Sequence, residues 1–171
     1  SPDGNTVYVA GNESGVLVVD VSEPDSPTLL STIVITDTIR LRTFVNKVVL
    51  STDGTTAYVA SGGAGLYVVD VSTPANPTQR SVLELERHPS GLYGANDVRI
   101  SPDGARAYLT DKGGSELKIV DISDPDNPEV EVFNGIPYAS ARRWSAPTAP
   151  PQWGAITRDA RDFGPECLQP R

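Results

Sequence analysis

One phrase, repeated three times at a spacing of 50 residues, constrains this chain more than any other feature of its 171 residues. Ser1-Pro2-Asp3-Gly4, Ser51-Thr52-Asp53-Gly54 and Ser101-Pro102-Asp103-Gly104 open the copies, and Tyr8, Tyr58 and Tyr108 follow at a fixed offset. Each copy then runs into an apolar stretch that ends in Asp and Ser. These stretches are Gly15-Val16-Leu17-Val18-Val19-Asp20-Val21-Ser22, Gly65-Leu66-Tyr67-Val68-Val69-Asp70-Val71-Ser72 and Leu117-Lys118-Ile119-Val120-Asp121-Ile122-Ser123, the last displaced by one inserted residue. Proline pairs close them, at Pro24 and Pro27, Pro74 and Pro77, Pro125 and Pro128. Self-similarity at this period restricts the chain to a solenoid, a propeller or an array of repeats.

The segments inside one repeat choose among these. Val45–Leu50 and Ala95–Ile100 alternate apolar with polar residues up to the Ser-x-Asp-Gly phrase, as a half-buried strand does. Asp-Gly between two strand-like runs is a hairpin signal, because Gly takes the positive φ that the turn requires. Thr56–Ala60 is the return strand, and a Gly-rich turn at 61–65 leads into the Leu-Tyr-Val-Val run. That run is apolar at successive positions, which predicts a strand covered on both faces by neighbouring sheets. The two prolines that follow remove backbone donors and end it. Fourth strands are predicted at Thr28–Ile35 and Thr78–Leu85. Four antiparallel strands per repeat of about 50 residues, with no amphipathic helix between them, describe a β-propeller blade. The expected fold is therefore all-β, an incomplete β-propeller of about three four-stranded blades, with the first blade lacking its upstream strand. Such a ring is open, and the faces of its end blades are bare.

Charge is shared unevenly. Residues 1–133 carry 9 basic and 19 acidic side chains, and residues 134–171 carry 5 and 3. An acidic front section with no basic stripe argues against nucleic acid and against an anionic membrane surface, since both need clustered Lys or Arg. No stretch reaches the about 20 apolar residues of a membrane span, so no membrane insertion is expected. The single cysteine, Cys167, can form neither a disulfide nor a cysteine-based zinc site within the chain. The chain has no Met and its first residue lies inside a turn motif, so a piece of a longer polypeptide is expected.

The repeated GLYVVDVSxPxxPT phrase resembles the LVIVD-type propeller repeats of bacterial and archaeal proteins, many of them exported or displayed on the cell surface. The SPDG and AYVA phrases are similar to the related YVTN-type surface propellers. Gly62-Gly63 and Gly113-Gly114 also resemble a kelch blade, but the first copy has Gly11-Asn12 there, so kelch ranks below LVIVD. The resemblance covers about residues 1–133, with repeats starting near 1, 51 and 101, and implies the fold rather than the function.

After Phe133 the periodicity stops. Residues 134–171 hold 6 of the 15 prolines and both tryptophans. The landmarks are Phe133-Asn134-Gly135-Ile136-Pro137-Tyr138-Ala139, Arg143-Trp144, Pro147, Trp153-Gly154, Arg158-Asp159-Ala160 and Phe163-Gly164-Pro165-Glu166-Cys167. In this order they resemble the beginning of a type B carboxylesterase, of the cholinesterase/lipase family of α/β hydrolases, over about residues 131–171. The segment departs from the family where Ser140-Ala141-Arg142 replaces the usual PP-x-G with a shorter connection. A Pro-rich, mostly irregular fragment of an α/β-hydrolase N-terminus is expected there. The resemblance implies serine-dependent hydrolysis of carboxylic esters in a longer parent. The family's nucleophile elbow GxSxG and its HGGG-type oxyanion loop do not occur in this sequence, so no catalytic residue is expected in the chain. In exported members the Cys matching Cys167 commonly pairs with a second Cys downstream, so the resemblance implies half of a structural disulfide. A simple unpaired thiol is the second reading of Cys167, and no base lies nearby in sequence to make it a nucleophile. Glu129–Phe133 fits both the last blade's outer strand and the hydrolase's first strand.

Other candidates carry plainer readings. Gly11-Asn12-Glu13-Ser14-Gly15 places Ser fourth and lies in a repeat turn. His88, the only histidine, sits in the turn-rich stretch Glu86-Arg87-His88-Pro89, without a nucleophile beside it. The acidic run Asp121, Asp124, Asp126, Asn127 and Glu129 suggests calcium, but it lacks EF-hand spacing, and Pro125 and Pro128 align with turn prolines. Asp20, Asp70 and Asp121 are expected to accept backbone N–H bonds in the turns that follow them. Tyr8, Tyr58 and Tyr108 are expected to wedge between blades, and Trp144 and Trp153 to pack a small sheet of the esterase.

Two functions from different classes follow. In one, the repeats are the scaffold or interaction module of an exported carboxylesterase-like hydrolase. In the other, they form a cell-surface or secreted binding propeller with a remnant tail. Neither needs a cofactor or metal. The expected partners are a protein or surface ligand of the propeller, and an ester substrate only in the full-length parent.

Overall fold

The computed structural model of the chain describes residues 1–35, 44–62, 65–85, 94–111 and 116–131, with the side chains of 111 and 116 excepted. Eleven strands run through them: β1 (Thr6–Ala10), β2 (Val16–Asp20), β3 (Thr28–Ile33), β4 (Val45–Leu50), β5 (Thr56–Ser61), β6 (Gly65–Asp70), β7 (Thr78–Glu84), β8 (Ala95–Ile100), β9 (Arg106–Asp111), β10 (Glu116–Asp121) and β11 (Glu129–Glu131). They form three antiparallel sheets, each in chain order: sheet 1 is β1-β2-β3, sheet 2 is β4-β5-β6-β7, and sheet 3 is β8-β9-β10-β11. No described residue is helical. The expected all-β, open propeller-like fold is what forms, with a first blade one strand short. All these strands lie in the unit Ser1–Glu131; the chain's other unit, Val132–Arg171, which holds the whole esterase-like stretch from 134 onward, is outside the described residues.

The Ser-x-Asp-Gly phrase folds identically three times. Gly54 N donates to Ser51 O at 2.9 Å, and Ser51 N reaches across to Thr56 O at 2.8 Å. The Ser51 hydroxyl donates to Asp53 at 2.6 Å while its oxygen accepts from Thr56 N at 2.9 Å. Asp53 also accepts from Thr55 N at 3.0 Å. Gly54 has φ 75°, whereas Thr52 and Asp53 stay at negative φ. The loop is thus longer than the two-residue Asp-Gly hairpin that the sequence suggests. The Asp side chain closes the turn in place of backbone, and only the glycine enters the left-handed region. Val71 N bonds Thr55 O at 2.8 Å, tying this turn to the Ser-Pro turn after β6, and Val21 and Ile122 repeat the bond in the other sheets.

The apolar run is buried on both faces only in the middle sheet, where β5 and β6 are buried almost throughout. Alternate residues point to opposite neighbours, because successive strand side chains alternate. Ala57, Val59, Tyr67 and Val69 join Val16, Val18 and Ile33 in one core, between sheets 1 and 2. Tyr58, Ala60, Leu66 and Val68 join Ala95, Val98, Leu109 and Val120 in a second core, between sheets 2 and 3. Tyr58 is wedged in that second core and Tyr8 packs against the first, as expected; Tyr108 lies half-buried on the far side of sheet 3.

Element ends show where tertiary structure overrides pattern. Pairing of β3 stops at Ile33 and that of β7 at Glu84, short of Ile35 and Leu85, yet Ile35 is still buried in the first core. Bulges recur at the same repeat positions, at Val18/Val19 against β3 and Val68/Val69 against β7. Glu129–Glu131 pairs with β10, so the start of the ambiguous stretch is the outer strand of the third sheet.

Candidate functional site

An open recess of the described surface lies where sheets 2 and 3 meet, at the end carrying the Ser-x-Asp-Gly and Ser-Pro turns. Ser51, Asp53, Tyr58 and Arg80 line it from sheet 2, and Asp103 and Ser123 from sheet 3. Its existence follows from one residue. At the junction of sheets 1 and 2, Pro2 packs so close to Gly54 that a Cβ there would lie 2.5 Å from the proline ring. The second repeat has Thr52 in place of that proline, and nothing approaches within 4 Å of the Cβ position at Gly104. A Ser-Thr-Asp-Gly turn therefore leaves open what Ser-Pro-Asp-Gly fills.

Charge in the cleft is fixed by pairing. Arg80 forms a two-pronged bond across the junction to Asp126, with Nε to Oδ1 at 2.7 Å and Nη2 to Oδ2 at 2.9 Å. Hydrogen bonding to Asp126 pushes the guanidinium pKa up, and the same bond holds Asp126 below the usual carboxylate value. The Ser51 hydroxyl, followed by the Thr55 N–H, lowers the Asp53 pKa, and the Ser101 hydroxyl and Ala105 N–H lower that of Asp103. Burial pushes the Tyr58 phenol up. The Asp53 and Asp103 carboxylates are each hydrogen-bonded within their own turn, and the Ser51 hydroxyl is committed at both its proton and its oxygen. The arrangement suits recognition of a polar group rather than proton transfer.

The other sequence candidates are dispersed. Asp20, Asp70 and Asp121 accept from the N–H groups of Ser22, Ser72 and Ser123 at 2.8, 2.8 and 2.9 Å, the structural role expected of them. In the acidic run, Asp124 accepts from Asp126 N and from the Asn127 side chain, while Asp126 faces Arg80, so the carboxylates turn to different partners. Among the described residues no three His, Cys, Asp or Glu side chains converge on a metal position. Ser14 lies in a tight turn in which Gly11 N bonds Gly15 O at 2.8 Å and Asn12 takes φ 56°. His88, Gly63, Gly113, Gly114, Trp144, Trp153 and Cys167 lie outside the described residues. No described helix is long and apolar enough to cross a membrane.

Sequence reading missed the bonds that tie one sheet to the next. The Ser31 hydroxyl donates to Pro74 O at 2.6 Å, and the Ser81 hydroxyl to Pro125 O at 2.7 Å. Asn46, at a bulge in β4, donates to Ala95 O at 2.9 Å. The serines recur at the repeat spacing and were findable. Arg80 and Asp126 were not, because the first repeat has Leu30 and the second Ala75 at the corresponding places.

Comparison with known proteins fits this geometry. Solved structures share the fold at low identity. The periplasmic gluconolactonase of Pseudomonas aeruginosa is 18% identical with a TM-score of 0.63, over 75% of this chain and 35% of that one. A protein from Lactobacillus plantarum is 19% identical with a TM-score of 0.61, over 74% and 38%. A protein of unknown function from Desulfotomaculum acetoxidans is 22% identical with a TM-score of 0.59, over 77% and 39%. The chain thus spans well under half the length of these structures. No curated protein matches it. The carboxylesterase family model matches residues 118–171. The LVIVD repeat model matches residues 3–34, 49–82 and 94–134, each span beginning within or just before a repeat seen in the sheets, and on that ground the chain belongs to the LVIVD repeat family.

Proposed function

We propose that the three sheets are a scaffold and interaction module of an exported, carboxylesterase-like hydrolase, and that this chain does not itself hydrolyse esters. The observation that carries this reading is the carboxylesterase match over residues 118–171, which contains the landmarks from Gly135-Ile136-Pro137 to Phe163-Gly164-Pro165. The two family matches overlap at 118–134, where β10 and β11 belong to sheet 3. The propeller and the hydrolase segment therefore follow one another without a long linker. Chemistry is assigned to sequence downstream, since an esterase of this type needs a serine on a nucleophile elbow and backbone donors for the oxyanion, and neither motif occurs here. The propeller's own ligand is a protein or a surface group, for which the polar cleft between sheets 2 and 3 is the candidate contact. Export to the cell surface or beyond follows from the resemblance of both segments to exported proteins. Cys167 is then half of a structural disulfide.

Two measurements test this. The purified chain, offered a chromogenic short-chain ester, releases product no faster than buffer; a serine-dependent rate contradicts the reading. Sequencing the reading frame beyond the Arg171 codon yields an HGGG-type loop and then GxSxG. A stop codon or further repeats there would instead make the propeller the functional unit, a surface or secreted binding protein with a remnant tail.

A further inference from the structure

The cleft between sheets 2 and 3 contains a hydroxyl that the fold leaves unused. Tyr58 is only 3% exposed and belongs to the second core, yet it also lines the recess beside Ser51 and Arg80. Among the described residues its hydroxyl makes no hydrogen bond, and the charged groups that act on it are Arg80 and Asp53. A nearly buried polar group without a partner is destabilising, and in a native protein it points to a group that arrives from outside.

The carboxylates around it are half used in the same sense. In the turn of sheet 1, Asp3 engages both oxygens, Oδ1 with the Asn5 N–H and Oδ2 with the Asn5 side chain. Sheets 2 and 3 have Thr55 and Ala105 at that place. Asp53 therefore takes all its turn bonds on Oδ1, from the Ser51 hydroxyl and from the Thr55 N–H and hydroxyl. Asp103 does the same with the Ser101 hydroxyl and the Ala105 N–H. Oδ2 of each has no partner among the described residues.

The sign of the missing partner follows from the remaining charges. Arg80 is held by Asp126 through both prongs, and Asp70 acts on it as well. Arg106, whose charge reaches Asp103, is bound to Glu131. Carboxylates outnumber guanidinium groups here, and Asp53 and Asp103 are the ones left unmatched. The surrounding field has the same sign, since residues 1–133 carry 9 basic and 19 acidic side chains. A metal ion does not fit, because it needs oxygens converging on one point, and among the described residues no three carboxylates do so. A cation with several N–H donors can instead reach acceptors that lie apart. The recess is also open, so a free small molecule would stay largely in water, whereas a side chain is held there by the rest of its protein.

We propose that this cleft receives a lysine or arginine side chain of a partner protein, with the Tyr58 oxygen accepting an N–H and Asp53 and Asp103 matching the charge. Thr52 admits the guest, because the proline at the same place in sheet 1 packs onto Gly54 and fills the equivalent space. The inference rests on the reading of the cleft as the propeller's contact and does not depend on the esterase assignment.

The test follows amide chemical shifts across 51–56 and 101–105 while the full chain is titrated with capped Gly/Ser heptapeptides carrying one central Arg, Lys or Gln. Methylguanidinium and methyl glucoside are titrated alongside. The Arg and Lys peptides are expected to bind at least about 10-fold more tightly than the Gln peptide or the glucoside. Tyr58→Phe and Thr52→Pro are each expected to weaken the Arg peptide at least about 5-fold while Tm holds or rises, since the phenol bonds nothing in the free chain and both other turns carry proline. Asp53→Asn weakens it too, whereas Asp3→Asn, the same loss of charge in the turn of sheet 1, changes it by less than about 2-fold. Unchanged affinity in Tyr58→Phe, a lowered Tm in that variant, or equal losses in Asp3→Asn and Asp53→Asn overturns the proposal. Methylguanidinium bound as tightly as the Arg peptide overturns the protein partner. Equal binding of the Gln peptide or the glucoside overturns the cationic chemistry and leaves the cleft as the contact, while no shift with any probe overturns both.

Discussion

The Ser51 hydroxyl carries more of the fold than its size suggests, because it completes two bonds at a turn that occurs three times. Removing it by Ser51→Ala strands the Thr56 N–H and one bond to Asp53, at a cost of about 1 kcal/mol, read from urea unfolding. The buried Ser61 hydroxyl behaves oppositely. It has no partner among the described residues, so Ser61→Ala should be neutral or stabilise by about 1 kcal/mol in the same measurement. The turn carboxylates set the pH dependence. Asp3, Asp53, Asp103, Asp70 and Asp121 are held below the usual value of 3.8 by a serine hydroxyl first, and Asp20 by the Ser22 N–H first. A folded pKa below the unfolded one means that the proton binds more weakly to the folded state. Their contribution is therefore complete above about pH 4 and is lost as pH falls through the lowered folded values. Tm should hold from pH 7 to about 4.5 and drop below about 4; a Tm that is flat or rising down to pH 2.5 contradicts this. Exposure limits each group's share, so the drop should be shallow.

Among elements, β6 tests the packing account most sharply. Gly65 has φ 125°, and a Cβ there would lie 2.2 Å from the Leu83 carbonyl oxygen, so Gly65→Ala should break the β6–β7 pairing and leave little folded protein. Gly104 also has a positive φ, of 72°, but open space around it, so Gly104→Ala should cost only the left-handed conformation, about 1 kcal/mol. Thermal melts of the two variants separate steric exclusion from backbone preference. Leu66→Ala should cost about 3 kcal/mol, since Leu66 is fully buried between sheets 2 and 3. Most of this level was legible in the sequence. The limits of β4 and β8 followed from their alternation, and the double burial of β6 from its unbroken apolar run. The bulges, the early ends of β3 and β7 and the four-residue turn were not legible, because they depend on cross-strand register and on side-chain closure of a loop, which no period records.

At the scale of the molecule, repetition made the architecture readable and left the site largely unread. A serine at 31 and again at 81 announces a link between sheets, but the cleft arises from a single departure, Thr52 for proline, and from an ion pair that only one junction has. Departures from a repeat give no warning of which one matters. The esterase-like landmarks were legible only as a resemblance, and they now rest on the match over 118–171. What holds the described residues together is a stack in which sheet 2 is covered on both faces and sheet 1 on one. Hydrogen exchange of the unmodified chain measures this directly. The account predicts the slowest amides in Thr56–Ser61 and Gly65–Asp70, with Thr6–Ala10 exchanging at least about 10-fold faster. Equal protection of Thr6–Ala10 and Thr56–Ser61, or fast exchange in both, would contradict it.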